Sequence, residues 1–144
     1  MLNALKQLTS QTSRRELTCS KFDGYINSIS DHRFNDVLNY TYSNFDEYIT
    51  IEKVAGIANL TRESFCRYFK ALANKTYIEF LTEYRISKAC QMIGEGEKSV
   101  KEIGYACGFN SLSNFYCQFK RITKLSPLAF SRHYPQMIES KKSA

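Results

Sequence analysis

Tryptophan is absent from this chain, and 144 residues include only two prolines and six glycines. With so few chain breakers, and with no sustained alternation of β-branched and polar residues, the sequence predicts an all-α protein. Histidine is nearly missing as well: His32 and His133 are the only two. The five cysteines (Cys19, Cys66, Cys90, Cys107 and Cys117) form an odd set without a C-x-x-C pair. Neither a disulfide framework nor a structural zinc site fits that inventory, so no metal and no cofactor is expected. No apolar run approaches the roughly 18 residues of a membrane span, and Met1 to Ser13 lacks the apolar core of a signal peptide. A cytoplasmic protein is the expectation.

The composition is otherwise that of an ordinary globular chain, 43% hydrophobic and 24% charged, with a net charge of +6. That charge is unevenly spread. Basic residues number five in 1–46, seven in 47–93 and eight in 94–144, against five, five and four acidic ones. The surplus therefore sits in the C-terminal two-thirds, which favours a polyanionic partner.

Residues 1–32 are polar and broken, with Leu2, Leu5 and Leu8 spaced for a short helix and a turn at Asp23-Gly24. They read as a lead-in or interdomain connector. From Phe34 onward, Phe34, Val37, Leu38, Thr41 and Phe45 recur at helical spacing. Thr50 can cap a short helix carrying Ile51, Val54, Ala55 and Ala58 on one face, and after a break at Asn59-Leu60, Thr61 can cap the next. That helix has the stripe Phe65, Phe69 and Leu72. A break at Asn74-Lys75 precedes a long connecting helix from about Tyr77 to Ile93, ended by Gly94-Glu95-Gly96. Ser99 and Glu102 have the spacing of a capping box. Ile103 and Cys107 then face inward, Gly108-Phe109 turns the chain, Ser111 can cap, and Phe115, Phe119 and Ile122 form another stripe.

This second pattern repeats the first. Shifted by 49 positions, Val54, Ala55, Asn59 and Leu60 fall on Ile103, Gly104, Gly108 and Phe109. Shifted by 50, Phe65, Phe69, Lys70, Phe80 and Tyr84 fall on Phe115, Phe119, Lys120, Phe130 and Tyr134. The extra residue is a turn insertion at Asn110. Each unit thus has a very small residue in its first helix, then a residue able to take positive φ, then an apolar one. These are the demands of a helix-turn-helix, in which two helices cross closely and the chain reverses within a few positions.

Opposite the phenylalanine stripes lie two polar faces. The first holds Glu63, Arg67 and Lys70, flanked by Arg62 and Cys66; the second holds Ser113, Cys117, Lys120 and Arg121, flanked by Tyr116. Arginine can bond guanine, a glutamate can accept from the cytosine amino group, and lysines can neutralise phosphates. The candidate base contacts are therefore Glu63, Cys66, Arg67, Ser113, Tyr116 and Cys117, and the candidate phosphate contacts Arg62, Lys70, Lys120 and Arg121.

The motifs Val54-Ala55-Gly56-Ile57-Ala58-Asn59-Leu60-Thr61, Phe65-Cys66-Arg67-Tyr68-Phe69-Lys70, Phe80-Leu81…Tyr84-Arg85-Ile86…Ala89, Ile103-Gly104-Tyr105-Ala106-Cys107-Gly108-Phe109, Phe119-Lys120 and Ser126-Pro127 resemble, in order and spacing, the DNA-binding domain of AraC/XylS-family bacterial transcription regulators. The resemblance covers about Phe34 to Arg132. It implies two helix-turn-helix subdomains joined by a long connecting helix, acting on double-stranded DNA through successive major grooves, with RNA polymerase as a further partner. The domain would occupy 33–134, with the first motif at about 50–73, the connecting helix at 77–93, the second motif at 99–123 and a C-terminal tail at 135–144. The family's usual N-terminal effector or dimerisation domain has no counterpart in residues 1–32, so this chain is expected to act as a monomer, or as a dimer where such a domain precedes it.

Several positions depart from the family pattern. Asn59, Asn74 and Lys124 stand at usual glycines, Gly104 at a usual alanine, and Cys117 where the second recognition helix most often has arginine. Arg132 lies one place beyond the usual tail arginine. Arg85, amid Leu81, Ile86 and Ala89, reads as a buried structural donor to a carboxylate or to helix-end carbonyls. An enzyme is not expected, because Cys19 and His32 lie in the least ordered part of the pattern and Cys107 belongs under a turn. The alternative reading is a helical adaptor that docks its basic faces on an acidic protein.

Overall fold

A computed structural model describes residues 31–142, with side chains through Tyr134. The short helix expected around Leu2, Leu5 and Leu8, the turn at Asp23-Gly24 and Cys19 lie outside the described residues. Within them the fold is all-helical: α1 (His32–Asn44), α2 (Ile51–Ile57), α3 (Arg62–Ala73), α4 (Tyr77–Glu95), α5 (Val100–Ala106), α6 (Leu112–Thr123) and α7 (Pro127–Lys142). The last helix continues in backbone form past residue 134, where the sequence suggests a tail; a proline inside a helix forgoes one backbone bond, and the chain is helical on both sides of Pro135.

The helix starts follow from their caps. Thr50, Thr61 and Ser111 each accept a hydrogen bond from the backbone N–H three residues on, as expected. Ser99 and Glu102 close the anticipated capping box, and Thr76 with Glu79 closes a second one at the head of α4. In both boxes the bonds from the cap hold the glutamate carboxyl below its usual range.

The two tight turns are built alike. Asn59 and Gly108 both take positive φ, at 54° and 81°. Leu60 N–H donates to Ala55 O and Asn59 N–H to Gly56 O; Phe109 N–H donates to Gly104 O and Gly108 N–H to Tyr105 O. This is the paired bonding that ends a helix through a left-handed residue. Asn74 and Lys124 end α3 and α6 in the same region, at φ 56° and 67°. Lys124 lacks the freedom of glycine there, and its ammonium donates back to Arg121 O.

Two hydrophobic cores result. The first gathers Phe34, Val37 and Leu38 of α1, Val54 and Ala55 of α2, Phe65 and Phe69 of α3, and Tyr77, Phe80, Leu81 and Tyr84 of α4. The second gathers Ile86, Ala89, Cys90 and Ile93 of the same α4 with Ile103, Cys107, Phe109, Phe115, Phe119 and Phe130. The repeat is metric as well as topological. Phe65 and Phe69 lie 5.7 Å apart between ring centroids, as do Phe115 and Phe119. Phe69 to Phe80 and Phe119 to Phe130 are both 5.5 Å and edge-on. Leu72 is only half-buried, and Ala73 takes the inward place at the end of α3.

The connecting helix is longer than the sequence suggests. It runs 19 residues, and the residue that ends it is Gly96, at φ 72°. Gly94 lies inside the helix, and it is a glycine because the Tyr134 ring of α7 rests where a Cβ would stand. That requirement comes from a residue forty positions away and so leaves no local trace.

At the close crossing in the second unit, a Cβ on Gly104 would lie 2.9 Å from Phe115 Cδ1 and 3.2 Å from Leu112 Cδ2. Phe115 is fully buried and cannot swing aside. Ala55, the matching residue of the first unit, is accommodated with its methyl buried. Gly104→Ala should therefore destabilise: overpacking costs about 1–3 kcal/mol, of which better helix propensity returns about 1 kcal/mol. A lowered urea midpoint with unchanged slope is the expected result, and a gain in stability would show that α5 and α6 can separate freely.

Candidate nucleic-acid interface

The two second helices, α3 and α6, are amphipathic in the same way. Phe65 and Phe69 point inward from α3, Phe115 and Phe119 from α6, and all four are fully buried. The opposite faces are open. Arg62, Glu63, Cys66, Arg67 and Lys70 of α3 are all exposed, and so are Ser113, Tyr116, Cys117, Lys120 and Arg121 of α6. Every candidate contact residue thus stands on the outer face of one of these two helices, five on each.

Their surroundings differ in detail. Arg62 donates to the carboxylate of Glu52 on α2 at 2.8 Å, with both side chains about 60% exposed. So exposed a pair is worth little and can be exchanged for a phosphate. Arg121 Nε donates to Gln118 Oε1 at 2.8 Å, and Gln118 Nε2 donates to Asn114 Oδ1 at 3.4 Å. Tyr116 is 37% exposed, with its ring 5.7 Å from that of Phe115. It leans on the core while its outer edge stays accessible.

Asn114 was not singled out by the sequence pattern. It is exposed and one residue beyond Ser113, and its amide carries the donor and acceptor pair that adenine requires. Its backbone N–H donates to the Ser111 cap, which leaves the side chain pointing away from the helix start.

Of the four described cysteines, Cys66 and Cys117 lie on this surface and the other two lie inside. Cys107 is fully buried beneath the turn, 3.8 Å from Met92 Sδ, and burial pushes its thiol up to about 12. Cys90 is buried too. His32 is exposed at the start of α1. Among the described residues no three His, Cys, Asp or Glu side chains gather as metal ligands would, and no helix is long and apolar enough to cross a membrane.

Two short helices in a tight turn, twice over, with an exposed polar face on each second helix, define a protein of the helix-turn-helix class. Comparison with known proteins narrows this. A family model described as a helix-turn-helix domain matches residues 54–133. The HTH-type transcriptional regulator YdeC of Bacillus subtilis is 36% identical over 104 residues, spanning 72% of this chain and 36% of that protein. The melibiose operon regulatory protein of Escherichia coli K12 is 27% identical over 109 residues, spanning 74% of this chain and 36% of its own length. The chain thus spans about a third of these curated relatives.

Among solved structures, the DNA-binding domain of AdpA, a global transcriptional factor crystallised with a target DNA, superposes with a TM-score of 0.68 at 27% identity, covering 73% of this chain and 94% of that one. An AraC-type transcriptional regulator from Chromobacterium violaceum has the same fold, with a TM-score of 0.67 at 22% identity and coverage of 72% and 93%. The chain belongs to the AraC/XylS family of helix-turn-helix transcription regulators, and residues 54–133 are the part that matches the helix-turn-helix domain.

The exposure pattern gives a direct chemical check. Iodoacetamide should label Cys66 and Cys117 in the native protein and leave Cys90 and Cys107 unmodified until denaturant is added. Rapid native labelling of Cys107, read by peptide mass, would contradict the packing of the second core.

Proposed function

We propose that one chain reads one asymmetric DNA site, with α3 and α6 entering successive major grooves on the same side of the duplex. The observation that carries this reading is the pairing of two similarly built units, each with an open polar face, on the single helix α4. Nineteen residues make α4 a rod of about 28 Å, somewhat short of the roughly 34 Å between successive grooves. Simultaneous insertion then favours a bent duplex, with two sub-sites about 10–10.5 bp apart. The AdpA domain, which shares the fold, was crystallised on a target DNA, and this supports the same partner here.

Within that complex Arg67 is the principal base reader. It is the longest donor at the middle of the outer face of α3, and it is exposed with no hydrogen bond or ion pair among the described residues to give up. Glu63 and Cys66 share its groove. Lys70, Lys120, Arg121 and, after exchange from Glu52, Arg62 hold phosphates. The second unit offers Ser113, Tyr116, Cys117 and Asn114, without an arginine at its centre. Its reading therefore relies on hydrogen bonds, contact with thymine methyl groups and DNA shape. The protein regulates transcription by occupying such a site, with RNA polymerase as the partner it would influence.

Selection from a random duplex library tests this. Two sub-sites one turn apart are expected, the one under α3 sharper than the one under α6. On the selected site Arg67→Ala should cost about 1–3 kcal/mol and flatten preference at one or two positions. Lys70→Ala, Lys120→Ala and Arg121→Ala should weaken binding to all sequences and each lower the salt slope by about one unit. Retention on DNA with no sequence dependence and no slope change would instead point to an adaptor for an acidic protein.

A further inference from the structure

The two cores meet at one residue. Tyr84 closes the first core and Ile86 opens the second, and between them on α4 stands Arg85. Its guanidinium reaches sideways into both units. Nε donates to Phe45 O at 2.7 Å and Nη2 donates to Glu47 O at 2.7 Å, both carbonyls lying on the segment that joins α1 to α2 in the first unit. The same guanidinium lies over the ring of Phe109, 5.9 Å from its centroid, and Phe109 is a core residue of the second unit.

The turn of the second unit completes the joint. A Cβ on Gly108 would lie 2.8 Å from Phe45 O, 2.9 Å from Asp46 O and 3.0 Å from Arg85 Cζ. Gly108 is therefore needed twice, for its φ of 81° and for the close approach of the 45–47 backbone. The turn of the first unit differs, since Asn59 there carries a full side chain and is exposed. So the joint is a feature of one side of the duplicated pattern only.

We infer that Arg85 is a positioning residue that sets the rotational phase between the two recognition helices by clamping the α1–α2 segment of the first unit against the Gly108-Phe109 turn of the second. The inference rests on the two-sub-site reading above. The helix fixes separation, but how each unit is seated around it depends on contacts between the units, and a planar fork with two carbonyls on one side and an aromatic face on the other opposes their relative rotation. Lysine keeps the charge but has neither the fork nor the plane. On DNA, one base pair added between sub-sites turns the second by about 34°. The clamp should therefore appear as selectivity for spacing, which neither recognition face supplies by itself.

The experiment measures affinity for duplexes carrying the selected site with spacers changed by −1, +1 and +5 base pairs, and for a duplex with the first sub-site only. Wild type, Arg85→Lys and Phe109→Leu are compared, with thermal unfolding of each. Misphased spacers should cost wild type on the order of a hundredfold, the loss expected when linked modules cannot engage together. Arg85→Lys should bind the single sub-site within about twofold of wild type, while its contrast between the native and misphased spacers falls about tenfold. Phe109→Leu keeps an apolar plug, removes the ring face and carries the same expectation should Arg85→Lys fold poorly. An unchanged spacer profile in a folded variant would overturn the inference, as would equal weakening on every duplex including the single sub-site. A wild-type protein indifferent to spacing would remove the two-sub-site reading itself, and the clamp with it.

Discussion

Helix α4 has to satisfy two cores at once, and most features of the domain follow from that demand. Its first half contributes Tyr77, Phe80, Leu81 and Tyr84 to one core and its second half Ile86, Ala89, Cys90 and Ile93 to the other. A helix apolar on so much of its surface cannot face water, so each helix-turn-helix must fold back against it. Phe69 meets Phe80 edge-on in the first unit and Phe119 meets Phe130 in the second, which seats each recognition helix on its core by the same contact. The outer faces of α3 and α6 are then exposed as a consequence of how their inner faces are buried.

Equal packing does not mean equal chemistry. The first unit keeps an alanine at its helix crossing and an arginine at the centre of its reading face; the second has Gly104 and Cys117 at the matching places. Gly104 follows from geometry, since the buried Phe115 ring leaves no room for a methyl group. Cys117 has no packing reason, being exposed. The joint at Arg85 also takes different parts from the two units, backbone carbonyls of the 45–47 segment from the first and the Gly108-Phe109 turn from the second.

Local signals were legible in the sequence wherever a few neighbouring residues decide the outcome. The caps at Thr50, Thr61, Ser99 and Ser111, the left-handed turns at Asn59 and Gly108, and the inward phenylalanines are of this kind. So is the outward placement of all ten candidate contacts, because burial of Phe65, Phe69, Phe115 and Phe119 fixes which face of each helix is left over. What escaped depends on distant partners. Gly94 reads as a stop signal, yet the helix runs on to Glu95 and the glycine serves the Tyr134 ring that fills the space beside it. Arg85 reads as a buried donor, but its acceptors, the carbonyls of Phe45 and Glu47, lie about forty residues upstream and carry no side-chain signature. The Arg62–Glu52 pair was missed for the same reason, because it joins two helices whose crossing the sequence does not display.

The central claim is that two reading helices on one rigid scaffold act as a single ligand for one face of DNA. Hydroxyl-radical footprinting at known stoichiometry tests it most directly. With one chain bound per duplex, the account predicts two protected patches on the same face, about one helical turn apart and without dyad symmetry. A single patch, or symmetric protection that requires two chains, would contradict it.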